Sequence, residues 1–214
     1  MKIDIVFDIV CPWCFIGIRR FRRACALRPN VPVEIRWRPF LLNPEIPAAG
    51  IDRAHYLERK FGNSHRIERI HAATRQAGQS EGIDFDFAAI RRMPSSIDAH
   101  RLIQWAEGNK EILLDRIFTA FFIEGRDIGD ISVLETLAVE AGLNGQDAGD
   151  YLRGPDGIDA IEAENARMRR WGISGVPSFI FEENYAVAGA QDPDLLARLM
   201  DIAVETDPES FSTA

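Results

Sequence analysis

The sequence predicts an α/β protein: one four-stranded sheet with flanking helices, interrupted by an all-helical insertion. Three observations lead there. Strand periodicity opens the chain, a long middle section reads as helices that each run into a glycine, and strand signals return only near the end. With 214 residues, 46% of them hydrophobic, the chain can build a core without disulfide staples.

Residues 2–9 alternate, with Ile3, Ile5, Phe7 and Ile9 on one face and Asp4, Val6 and Asp8 on the other. Cys14, Ile18, Phe21 and Cys25 then recur at spacings of four, three and four, the apolar stripe of an amphipathic helix. Val33, Ile35 and Trp37 alternate through 33–38, so the chain opens β-α-β with a crossover suited to a parallel pair. Segments 51–62, 64–78, 95–108, 110–125 and 131–142 read as helices stopped by Gly62, Gly78, Gly108, Gly125 and Gly142. A further helix, about 156–171, places Ile158, Ile161, Met168 and Trp171 near one face. Strands at 178–181 and 185–189 flank a hairpin loop at 182–184. Asp192 and Pro193 open a last helix through about Val204. The sheet domain is therefore expected over 1–44 and 156–214, and the helical insertion over 45–155.

A formal charge of -8 disfavours nucleic acid as a partner. The run Arg19, Arg20, Arg22 and Arg23 reads as a solvated helix face. No stretch of about 18 apolar residues calls for a membrane span. The opening residues lack a cationic leader and a cleavage site, so a cytoplasmic location is expected. Thiols in that compartment are kept reduced, which weakens the reading of any cysteine pair as a structural clip.

The motif Cys11-Pro12-Trp13-Cys14 follows the first strand directly. Pro12 suits the first helical position, which places Cys11 at the N-cap and Cys14 one turn inward. A thiol at a helix N-terminus meets unsatisfied N–H groups and the positive end of the dipole, both favouring thiolate, the nucleophile of disulfide exchange. Cys14, on the apolar stripe, is expected to be the more buried, resolving thiol. Structural zinc needs a second ligand pair that the sequence does not supply, and His55, His65, His71 and His100 read as helix residues, so no metal is expected. Two inert buried thiols are the remaining alternative, which Pro12 serves poorly. Cys25 lies about 16 Å from Cys14 along a straight helix, too far for a disulfide, and reads as core filler. Asp8 reads either as a charge favouring the helix start or as a carboxylate that takes the proton of Cys14.

These residues carry a resemblance. "FDIVCPWCFIG", "SIDAHRLIQWA", "AFFIEGRDIGD" and "GISGVPSFIFEENYAVAGAQ" together resemble the DsbA-like thioredoxin-fold oxidoreductases, especially their cytosolic FrnE-like branch, over nearly the whole chain. The resemblance implies a thioredoxin-like fold (a four-stranded mixed sheet) with the helical block inserted, and a cis Val176–Pro177 bond facing the cysteines. From the residues alone, Pro177 reads equally as a turn proline ending the loop after Gly172. A cis bond would present Val176 backbone groups to an extended substrate. The implied activity is protein-disulfide exchange without a cofactor, Cys11 attacking and Cys14 resolving, on a protein, peptide or small-thiol partner such as glutathione. DsbA-like periplasmic oxidants carry His between the cysteines; here Trp13 offers only an indole donor, so a less oxidising couple is expected. His100 resembles a recurrent position of the family's helical block and reads as a packing or hydrogen-bonding residue. The competing readings are a glutathione-dependent isomerase or transferase of the 2-hydroxychromene-2-carboxylate isomerase/kappa type, in which Ser typically replaces Cys11, and a non-catalytic redox sensor.

Overall fold

The computed structural model describes residues 1–205. In chain order the elements are β1 (Lys2–Phe7), α1 (Pro12–Ala26), β2 (Glu34–Pro39), β3 (Ile51–Asp52), α2 (Arg53–Phe61), α3 (Ser64–Gln79), β4 (Arg92–Met93) and α4 (Ile97–Trp105). There follow α5 (Lys110–Phe122), α6 (Ile131–Glu140), α7 (Gly145–Arg153), α8 (Ile158–Arg170), β5 (Ser178–Phe181), β6 (Tyr185–Ala188) and α9 (Pro193–Glu205). The chain divides into two compact units, one of Met1–Phe40 with the segment from Glu164 onward, the other of Leu41–Ala163. The expected insertion bounds, 45 and 155, lie inside the second unit.

The first unit is built on a sheet of order β2-β1-β5-β6, with β1 parallel to β2 and antiparallel to β5, and β5 antiparallel to β6. This is the mixed, thioredoxin-like sheet expected from the sequence. Strand β1 is central in the sheet, between β2 and β5, and every residue beyond Lys2 is buried. On one face Phe7 meets Trp37 edge-on at 5.6 Å between centroids. Helix α1 lays Cys14, Ile18 and Phe21 inward, and Phe21 stacks on Phe179 at 5.5 Å. Helix α9 packs against α1, and Arg28 clamps Asp201 with two bonds of 2.6 Å.

Three expectations for the first unit need correction. Cys25 is half-buried, and Ala24 beside it takes the core position, so Cys25 is not core filler. Trp171 is 48% exposed under the Arg167 guanidinium, since the helix ends there and the ring lies outside the packed face. Val33, Ile35 and Trp37 are only half-buried because β2 is an edge strand.

A polar feature the sequence analysis missed holds the β1–β2 pair. Asp4 is fully buried, yet the parallel register sets it opposite Arg36 with Arg38 two residues on. Arg36 Nη2 donates to one carboxylate oxygen at 2.7 Å and Arg38 Nε to the other at 2.6 Å. Arg36 also reaches Glu183 in the β5–β6 turn at 3.0 Å, and Arg38 approaches Glu164 at 3.4 Å. The carboxylate thus exchanges water for two charge-assisted hydrogen bonds.

In the second unit side-chain caps start the helices: Asp52, Asn63, Asp130 and Asn144 each accept from a first-turn amide. Its apolar centre is α5, where Leu113, Leu114, Ile117, Phe118, Phe121 and Phe122 are buried. Buried Arg101 in α4 gathers the carbonyls of Tyr151, Leu152, Gly154 and Asp156, closing the end of α7. Added to the helices is a two-residue antiparallel ladder, β3 with β4. Gly78 does not stop its helix as expected: it lies buried inside α3, with the Phe85 ring where a Cβ would stand. Helix α7 was not read from the sequence, because Gly145 and Gly149 lower its helical signal. Gly149 serves a close approach: a Cβ there would overlap the Glu135 carboxylate of α6.

Asp4→Ala should cost about 3 kcal/mol, since it leaves two part-buried guanidinium groups without their anion. Urea denaturation would show this as a lower midpoint at unchanged slope. A loss below about 1 kcal/mol, the range of exposed ion pairs, would mean that the cluster is a surface ornament.

Candidate active site

The end of β1 dictates the site. After Phe7 the chain turns, the Cys11 amide donating to the Asp8 carbonyl at 3.0 Å, and α1 starts at Pro12 with Cys11 as its N-cap. Cys11 is 6% exposed, Cys14 fully buried, and Trp13 between them 38% exposed. The two sulfurs belong to free thiols. Burial pushes the Cys14 thiol well above its ordinary value of 9.0, helped by a hydrogen bond to Cys11 and by the charges of Cys11 and Asp8; a backbone hydrogen bond from Asp8 pulls the other way. Asp8 itself is fully buried, and its carboxylate accepts from the Val10 amide at 3.3 Å.

The opposite wall comes from a distant part of the sequence. Because β5 runs antiparallel to β1 with Val6 opposite Ser178, the residues just before β5 arrive beside the end of β1. The Val176–Pro177 bond there is cis, and the Cys11 thiol donates to the Val176 carbonyl with sulfur and oxygen 3.6 Å apart. The Val176 amide has no acceptor among the described residues. Asp8, Cys11, Pro12, Trp13, Cys14, Val176 and Pro177 therefore gather in the first unit.

His100 belongs to the second unit, buried in α4. Among the described residues no group of three or more His, Cys, Asp or Glu side chains is placed to hold a metal ion. No helix among them is long and apolar enough to cross a membrane.

Gly17 was missed by sequence reading. It faces the proline from α1, one turn after Cys14, and a Cβ there would stand 2.7 Å from Pro177 Cγ and 3.4 Å from Ala190 Cβ. The absence of a side chain lets the 176–177 segment approach the helix. A glycine three residues after the second cysteine, on the same helix face, was the available signal.

A vicinal thiol pair at a helix N-terminus, faced by a cis-proline loop on a four-stranded mixed sheet, defines a thiol–disulfide oxidoreductase class of site. The chain belongs to the DSBA-like thioredoxin domain family, whose model matches residues 2–201. It is 28% identical over 201 residues to the Bacillus subtilis (strain 168) protein YwbO, described as uncharacterized, covering 92% of this chain and 94% of that one. It is 30% identical to a probable DsbA oxidoreductase from Streptomyces coelicolor, with a TM-score of 0.89 over 96% of this chain and 91% of that structure. The cytosolic disulfide reductase DsbM from Pseudomonas aeruginosa, solved with GSH, shares the fold at 19% identity, a TM-score of 0.70, and 96% and 100% coverage.

With Cys25 replaced by Ser, iodoacetamide should label the reduced protein on Cys11 well before Cys14, because Cys14 is fully buried and held protonated and only thiolates alkylate readily. Cys14 should label readily only after unfolding, because burial both shields its thiol and raises its pKa. Equal labelling of both cysteines at neutral pH would contradict the asymmetry.

Proposed function

We propose that this DsbA-family chain exchanges disulfides through its own dithiol couple, with Cys11 attacking and Cys14 resolving. The observation that carries the reading is the asymmetry of the two thiols: Cys11 caps α1 at the rim beside Val176, and Cys14 lies fully buried behind it. The helix terminus favours negative charge where Cys11 stands, and burial keeps Cys14 protonated until it is needed.

In the reducing direction, the Cys11 sulfur attacks one sulfur of a substrate disulfide. A mixed disulfide forms, and the other substrate sulfur leaves as a thiolate that takes up a proton. The Cys14 thiol then gives its proton to the Asp8 carboxylate and attacks the Cys11 sulfur. The Cys11–substrate bond breaks, the second substrate thiol departs with a proton, and two electrons have passed from the dithiol to the substrate. Two molecules of a small thiol such as glutathione restore the dithiol, the first forming a mixed disulfide and the second releasing it as the small-thiol disulfide, and the oxidised protein can also run the sequence in reverse on a dithiol substrate. The Val176 amide, free of an acceptor among the described residues, supports docking of an extended peptide alongside it.

Trp13 stands where the strongly oxidising relatives carry a charged or chargeable histidine, which supports a couple more reducing than theirs. The cytosolic disulfide reductase solved with GSH, alike in fold, supports a cytoplasmic thiol–disulfide role for this chain and a small thiol as its exchange partner.

Cys14→Ser should abolish catalytic reduction of a protein disulfide such as that of insulin while Cys11 accumulates as a mixed disulfide, visible by mass spectrometry under non-reducing conditions. If turnover with glutathione survives that substitution, Cys14 is dispensable and the glutathione-dependent isomerase or transferase reading replaces this one. Stoichiometric oxidation without turnover in the unaltered protein would favour a redox sensor.

A further inference from the structure

Helix α1 carries more of the site than its cysteines. Cys14, Gly17 and Arg20 follow one another at intervals of three, so they share one face of the helix. Arg20 keeps its side chain 16% exposed and donates from Nη1 to the Ala190 carbonyl at 2.7 Å, with Asp192 Oδ1 at 3.7 Å. Ala190 lies in the 189–192 turn after β6, which Gln191 tightens by donating from its amide to the Gly189 carbonyl at 2.9 Å and from its side chain to the Ala188 carbonyl at 2.8 Å. From this turn the Gly189 amide donates to the Pro177 carbonyl at 2.7 Å. One residue earlier stands Val176, whose carbonyl accepts from Cys11. A continuous chain of contacts therefore leaves α1 at Arg20 and returns to its N-terminus at Cys11.

We propose that Arg20 is a positioning residue of the redox site: it holds the 189–192 turn, and through the Gly189 amide the Val176–Pro177 edge, against Cys11. This role rests on the thiol–disulfide reading. The guanidinium touches no reacting atom. It fixes the depth at which the backbone edge stands over the sulfur, with Gly17 setting the closest approach and Arg20 the anchor one turn on. A turn held only by its own short bonds has a wider range of positions, and an extended substrate laid along Val176 would then meet Cys11 less often in line. The cost falls on substrate docking more than on the dithiol couple, because Cys11 and Cys14 are placed by β1 and the start of α1.

Arg20→Met keeps the alkyl stem and removes the donors. Amide hydrogen exchange at Gly189 should accelerate about tenfold or more, the measure of one lost charge-assisted hydrogen bond. KM for a peptide disulfide should rise by about the same factor, while kcat and the dithiol–glutathione equilibrium stay near those of the unaltered protein. Arg20→Lys, which still offers a cation to Ala190, should restore most of both readouts. Unchanged Gly189 protection in the methionine variant would overturn the proposal, as would a fall in kcat and a shifted equilibrium at constant KM. Should that variant fail to fold, the same exchange measurement on Arg20→Gln decides. If the unaltered protein reduces no disulfide at all, the thiol–disulfide reading fails by itself, and Gly189 exchange still tests whether Arg20 holds the turn.

Discussion

The antiparallel pairing of β5 with the end of β1 is the constraint on which the rest of the site depends. Cys11 and Val176 stand 165 residues apart in the chain, yet Val6 opposite Ser178 leaves them no choice but to meet. The same register sets Pro177 against α1, where Gly17 leaves space for it. The pairing is robust because β1 is buried on both faces and is tied on its other side to β2 through Asp4 and two arginines. A slip of one residue would turn Asp4 and Val6 to the opposite face and break this arrangement. Fold stability and redox geometry are therefore the same problem in this unit.

The thiols divide their labour by depth. Proline at the first helical position and the turn at Asp8 put one sulfur at the rim of the helix end, and the helical repeat carries the other under the sheet. Burial that would make Cys14 inert on its own makes it a reserve here. Burial holds its proton in place, and the charges of Cys11 and Asp8 add to that effect. Trp13, between the two cysteines, stands at the solvent edge.

Much of this was legible in the residues. Alternation at 2–9, the stripe from Cys14 to Phe21 and the paired short strands after Pro177 marked the sheet unit, and Cys-Pro-Trp-Cys marked the helix start. What stayed hidden depends on register and on close approach. Asp4 looked like one polar member of an alternating strand, and only its place opposite Arg36 shows why a carboxylate survives there. Gly149 lowers the helical signal of its segment and Gly17 goes unremarked on its stripe, whereas each is where another chain segment comes near. Cys25 fell on an apolar stripe by spacing, but it is only half-buried and Ala24 beside it fills the core.

The central claim is that Cys11 and Cys14 form one working couple. Equilibration of the protein in glutathione buffers of graded ratio, with disulfide content read by mass spectrometry, tests it most directly. A single reversible two-electron transition should link Cys11 to Cys14, leave Cys25 reduced, and lie at a potential below the value of about −120 mV of the strongest oxidants. A failure to form that disulfide reversibly, or a disulfide that uses Cys25 instead, would contradict it.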